Sequence, residues 1–332
     1  NSRYYSGLCI DFVGRIFAGT ATGPGEVFRS TDAGATWTTT VLTPPPTSIK
    51  SLAATASGAI LAATSLKMYR TLDGGTTWIK ADSGLPNATV NGMVSIQNSV
   101  FIGTLGSGVF RSDDFGSTWS QVNMGVPNPW IYDLIASPSG QLFASTPYGV
   151  FSSANNGSNW ILQTSAGLDK TSLHLAASSS GTLFAGGSYG LFRSTDFGKN
   201  WVQTNTGLKA TYVRALAMTS NGYVFAGEYG IHRSSDLGST WTQIGLQNKD
   251  VRSIATSSST LYAGTTAGIF RSTDDGSTWL TTSITGVSVV AAGQSGTVFA
   301  GSGAGICACS SATYWSMLLR LRSTESALAA SR

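Results

Sequence analysis

Charge is scarce in this chain. Only 11% of its 332 residues are Asp, Glu, Lys or Arg, while 41% are hydrophobic. A disordered chain has the opposite balance, so a packed fold is expected. The net charge of +4 comes from scattered basic residues, and without a basic cluster no nucleic-acid partner is expected. Cysteine is rarer still: Cys9, Cys307 and Cys309 make no disulfide framework and read as small apolar residues. Two histidines and these cysteines show no metal-ligand spacing, and no Gly-rich phosphate loop is present. Neither metal nor cofactor is therefore expected. No apolar run is long enough to cross a bilayer as a helix, so no membrane insertion is expected.

What the chain has is glycine, 40 residues of it, and repetition. RSTDAGATW (Arg29 to Trp37) returns as RTLDGGTTW, RSDDFGSTW, RSTDFGKNW, RSSDLGSTW and RSTDDGSTW. A further copy, SSANNGSNW (Ser152 to Trp160), keeps the frame without the aspartate. The tryptophans at 37, 78, 119, 160, 201, 241 and 279 are spaced by 41, 41, 41, 41, 40 and 38 residues. Within each period, short β-branched or aromatic runs alternate with Gly-bounded turns, which is strand patterning, and no segment keeps helical spacing. Four short strands per period of about 40 residues describe a propeller blade. Eight units start near Leu8, Leu52, Met93, Leu134, Leu175, Leu216, Ile254 and Val290.

The expected fold is all-β: a single propeller over 1–322 with a tail at 323–332, eight-bladed, or seven-bladed with an atypical C-terminal piece. From Gly303 the text departs from the box pattern, as a degenerate closing blade, a terminal cap or a shifted reading frame would.

The phrase S-x-D-x-G-x-T-W resembles the Asp-box, or BNR, repeat. That resemblance implies a box on the turn between third and fourth strands. It also implies relatives as different as sialidases, xyloglucan-cleaving glycoside hydrolases, sortilin-type receptors and photosystem assembly factors. Fold alone does not select among them. The box itself reads as a clasp. Asp32, Asp73, Asp114, Asp196, Asp236 and Asp274 can accept backbone N–H bonds, and the box glycines can supply positive φ. Asn155 and Asn156 keep amide oxygens in the decayed copy. The recurring Arg29, Arg70, Arg111, Arg193, Arg233 and Arg271 read as a repeated structural contact. One or two carboxylates per loop fall short of a calcium cage.

The resemblance further implies that ligands are met on the rim opposite the boxes, or in the channel mouth. There Tyr148, Tyr189 and Tyr229 share one position in three consecutive units, where they either stack on a sugar ring or pack between loops. Trp130, Tyr132 and Tyr212 lie at first-strand entries nearby. Arg214 and Arg252, in adjacent units, can hold an anionic group. Asp133 and His174 are also adjacent, as an acid/base couple or a plain hydrogen bond. His232 stands where other units carry Phe and reads as a core histidine.

The expected function is a non-catalytic propeller that binds an extracellular carbohydrate or protein partner through this rim, as an extracellular or periplasmic monomer. The enzyme alternative is a glycoside hydrolase using Asp133, Asp169 or Glu228. The third reading is a protein-assembly factor. The sialidase arginine pattern is incomplete.

Overall fold

The structure is a computed structural model. It describes residues 5–20, 25–32, 36–65, 67–127, 130–137, 139–163, 168, 174–178, 181–187, 189–208, 212–219, 221–257, 260–281, 287–292, 298–302, 305–309 and 316–320. Asp169, a candidate above, lies outside the described residues, as does the 323–332 tail.

Every described element is a strand or turn. Unit one pairs Tyr5–Ile10, Ile16–Thr20, Glu26–Ser30 and Thr38–Val41 in that order, each antiparallel to the next. Five further sheets repeat this meander, and the remaining sheet has six strands. Second strands such as Ile60–Thr64 and Leu142–Thr146 are buried at every position, because their two faces meet two neighbouring sheets. Fourth strands such as Ile79–Lys80 are exposed and short, which suits an outer edge.

First strands line the axis. Tyr5–Ile10 neighbours Ile49–Ala54, and the sequence of neighbours runs through Thr89–Ile96, Asp133–Ala136, His174–Ala177, Ala215–Met218, Thr242–Ser257 and Val287–Ala292. Val287–Ala292 lies against Tyr5–Ile10 again, so the ring closes on itself. The approach is close: a Cβ on Gly92 would sit 2.8 Å from Leu134 N on the next unit. The text after Gly303, despite its departure from the box, still supplies Gly305–Cys309 and Ser316–Arg320, paired antiparallel as third and fourth strands.

The box is built as a clasp. Ser112 Oγ donates to Asp114 Oδ1 at 2.8 Å and accepts from Gly116 N at 2.7 Å. Thr118 then gives its N–H to Oδ1 at 2.9 Å and its hydroxyl to Oδ2 at 2.7 Å. The bonds recur around Asp73, Asp236 and Asp274. In the decayed copy Asn155 Oδ1 accepts from Ser153 Oγ at 2.9 Å and Asn159 N at 3.0 Å. Positive φ also occurs at the residue before the box glycine: Phe115, Phe197 and Leu237 have φ of 58°, 60° and 53°.

Hydrogen bonds to the ionised form depress the box carboxyls. The Thr36 hydroxyl and N–H, with Ser30, hold Asp32 at about 2. Thr278 and Ser272 do the same for Asp274, also at about 2.

The same phrase joins neighbouring units. Arg70 reaches the Asp114 carbonyl of the next box at 2.8 Å, and Arg193 reaches Leu237 O at 2.9 Å. Box tryptophans reach backwards: Trp119 Nε1 donates to Ala81 O at 2.8 Å, and Trp160 Nε1 to Val122 O at 2.7 Å. Both rings are buried. Burying about 150–250 Å² per ring at roughly 25 cal/mol/Å² gives at most about 4–6 kcal/mol each.

Candidate functional site

In a four-stranded meander, turns between strands one and two and between three and four share one end. Hairpins between strands two and three share the other end with the crossings to the next unit. The boxes occupy the first end, so the second is the rim where the sequence departs from its own repeat.

The hairpin tips on that rim are clasped too. Thr104 Oγ1 donates to Gly108 O at 2.8 Å, Thr146 Oγ1 to Gly149 O at 2.9 Å, and Thr265 Oγ1 to Gly268 O at 2.9 Å. Tyr148 N returns a bond to Thr146 Oγ1 at 3.1 Å. Unit five has Gly187 in place of this threonine but keeps a second clasp that unit three also has, amides from the fourth-strand segment. Gln203 Nε2 and Asn205 Nδ2 donate to Tyr189 O at 3.0 and 3.2 Å. In unit six, Tyr229 pairs with Asp250 in the strand ladder. The three backbones are thus held, yet Tyr148, Tyr189 and Tyr229 are 48%, 56% and 61% exposed. Packing between loops, one of the two expectations for these rings, does not describe side chains so open. Trp130, bridged to Leu105, and Tyr212 are exposed as well, while Tyr132 is half-buried.

Arg214 and Arg252 do face a common anion, and it belongs to the chain. Arg214 Nη1 lies 3.2 Å from Asp250 Oδ1, and Arg252 Nε lies 3.0 Å from Asp250 Oδ2. The Arg214 guanidinium also stacks 4.9 Å from the Tyr212 ring centroid. Asp250 was not among the candidate residues. Its signal was the spacing Asp250-Val251-Arg252 in an extended segment, since residues two apart share a strand face.

The carboxylates proposed for catalysis are otherwise engaged. Asp133 Oδ1 accepts from Leu134 N at 2.8 Å and Oδ2 from Leu175 N at 2.9 Å, which ties unit four to unit five. Ser253 Oγ makes the equivalent bond with Val290 N at 3.2 Å, so this is a recurring staple between units. Burial pushes the Asp133 carboxyl above its ordinary value, against the pull of the Leu175 N–H and nearby His174. His174 is exposed and lies within electrostatic range, but the Asp133 oxygens bond to backbone rather than to it.

Glu228 is not on the surface of the rim. It is 2% exposed, beside His232 at 0%. Glu228 Oε1 stands 3.0 Å from His232 Nδ1, at ion-pair distance but outside hydrogen-bond geometry. Glu228 occupies the position of the clasp threonines, and His232 that of Phe110, Phe151 and Phe192. Two departures from the repeat therefore meet each other. Among the described residues no group of three His, Cys, Asp or Glu can hold a metal ion.

Comparison with known proteins agrees with this architecture. Residues 182–295 match the DUF6242 beta propeller domain, and residues 109–122 match the BNR-Asp box repeat. No curated protein gives a match. The chain resembles the computationally designed Ika8 protein at 11% identity and TM-score 0.70, covering 91% of this chain and 94% of that one. It resembles YCF48 bound to D1 peptide at 18% identity and TM-score 0.60, covering 79% of this chain and 90% of that one. The GH74 enzyme of Niastella koreensis aligns at 15% identity and TM-score 0.50, with 94% of this chain spanning 65% of the enzyme. At such identities the likeness is one of fold.

Proposed function

We propose a function from one premise: the chain is an all-β protein of the propeller class that carries Asp-box repeats. On that premise it is a non-catalytic recognition module, binding a protein segment through the rim of units four to six. The reading takes the ring as eight-bladed and the protein as working outside the cytoplasm. One observation carries it: three tyrosines stand exposed on three consecutive, backbone-clasped hairpin tips. Tyrosine anchors with little backbone entropy to lose suit protein recognition, and the exposed Arg252 beside them completes the usual composition of a binding hot spot. Asp133 and Glu228 are committed to backbone and His232 respectively, which favours binding over glycoside hydrolysis. A solved propeller similar in fold is bound to a peptide, a use of the scaffold that fits this reading.

Paired peptide and glycan arrays test it. Peptide binding that falls about tenfold or more in Tyr229→Ala and Arg252→Ala supports the reading. Binding that ignores both substitutions, or hydrolysis of a polysaccharide lost in Asp133→Asn, overturns it.

A further inference from the structure

The box decays in one place, and a cleft opens there. In unit four Ser152 stands where six other copies carry arginine. Elsewhere that arginine crosses to the next box: Arg193 Cδ lies 3.5 Å from where a Cβ on Gly238 would stand. At the corresponding Gly198 the neighbours are Leu183 and Gln163 instead. Gln163 folds inward to donate to Ser152 Oγ at 2.7 Å. It does not fill the space, and a cleft of about 310 Å³ remains between the fourth and fifth boxes. Its lining includes Gln141, Ser152, Asn155, Asn159, Phe197 and Lys199. A second cleft of about 400 Å³ lies on the other side of the same box and shares Gln141 and Ala154 with the first.

The second change in this copy alters the chemistry of the wall. In the other six copies the second carboxylate oxygen of the box is capped by a side chain four residues on. Asn155 spends Oδ1 on Ser153 and Asn159 N, as an aspartate would, but its second terminal atom is an NH₂ that presents donors. The cleft therefore has no carboxylate, several carboxamides offering both donors and acceptors, one lysine, and the ring of Phe197, exposed at its edge. Carboxamides pair with adjacent hydroxyls, and an aromatic face takes the C–H side of a pyranose. The volume lies within the range of small-ligand clefts, about 300–1,000 Å³.

We infer that this cleft on the box face is a second binding site, separate from the rim, and that it takes a neutral oligosaccharide. The repeat is lost here in the two positions that would otherwise fill the cleft with an arginine and place a carboxylate in its wall.

Calorimetric titration with cellohexaose, xylohexaose, maltohexaose and chitohexaose tests the inference. One of the four is expected to bind, with affinity falling about tenfold in Ser152→Arg and in Phe197→Ala, and unchanged in Tyr229→Ala. Ser152→Arg restores the residue of the other copies, and a thermal melt verifies its fold. Should it fail to fold, the surface variant Asn159→Ala replaces it in the comparison with the same expected loss. No binding by any probe at about 10 mM, or binding unmoved by the cleft substitutions, overturns the inference. Sugar binding lost in Tyr229→Ala would overturn it too, whereas failure of peptide binding at the rim leaves it standing.

Discussion

The junction between units six and seven and the junction between units four and five depart from the same repeat in opposite directions. At the first, Val224–Ser234 and Thr242–Ser257 run on as long strands and fuse two units into a six-stranded sheet. The non-repeat residues there come in partnered sets: Glu228 with His232, and Asp250 between Arg214 and Arg252. At the second junction the departures are subtractions. Ser152 is too short to cross, and Asn155 gives up one acceptor. A repeat protein is stabilised by interfaces between neighbouring units. Substitutions that fill the space between units preserve such an interface, while ones too small to fill it, as Ser152 with Gln163 is, leave it open to solvent.

The comparison is broken most severely at the buried pair. Glu228→Ala leaves the enclosed His232 without the carboxyl beside it and should cost about 2–3 kcal/mol in urea unfolding, the range for a buried polar group left unpaired. The double change Glu228→Thr with His232→Phe restores the repeat's own residues and should come within about 1 kcal/mol of the parent, or exceed it. A double variant as unstable as the single one would deny that the two departures are coupled. Next in size is the staple between units four and five. Asp133→Ala strips two backbone N–H groups of their acceptor and should cost about 2 kcal/mol, whereas Asp133→Ser, copying Ser253, should recover about half of that. Thermal melts distinguish the two variants.

Ser152→Arg should stabilise by no more than about 0.5–1 kcal/mol, the range of a surface contact, while closing the cleft. The smallest effect is on acid sensitivity. Asp32 and Asp274 have carboxyls lowered from 3.8 to about 2, so their contribution is complete above about pH 4 and is lost as pH falls towards 2. Asn155 does not titrate. Between pH 4 and 2, the Thr278 amide should therefore lose exchange protection while the Asn159 amide keeps its own, once intrinsic rates are corrected.

Much of the ring was legible in the tryptophan period, because each copy needs its own indole and its own turn. The box as clasp, the arginine as a structural contact and the amide substitute in copy four all follow from local chemistry that a short phrase contains. The rim was legible only in part. Exposed tyrosines at one repeated position could be read, but not that they point to solvent. Arg214 and Arg252 were read as holding an anion, while its source, Asp250, lay in a crossing segment that alignment of the units skips. Glu228 and His232 each depart visibly from the repeat, but the contact between them depends on both facing the interior of one hairpin, which the letters do not show. The threonine clasps and the Gln–Asn pairs behind Ser107 and Tyr189 were visible as recurring letters in TWSQVN and NWVQTN, without a partner to give them meaning.

The central claim is that a peptide partner is met by the hairpin tips of units four to six, with the intact box turns serving as scaffold. Hydrogen–deuterium exchange of the protein with and without an array-selected peptide measures this directly. The account predicts added protection at 146–149, 189–190 and 228–230, with the box turns at 114–118 and 236–240 unchanged. Protection at the box turns with the tips unchanged would contradict it.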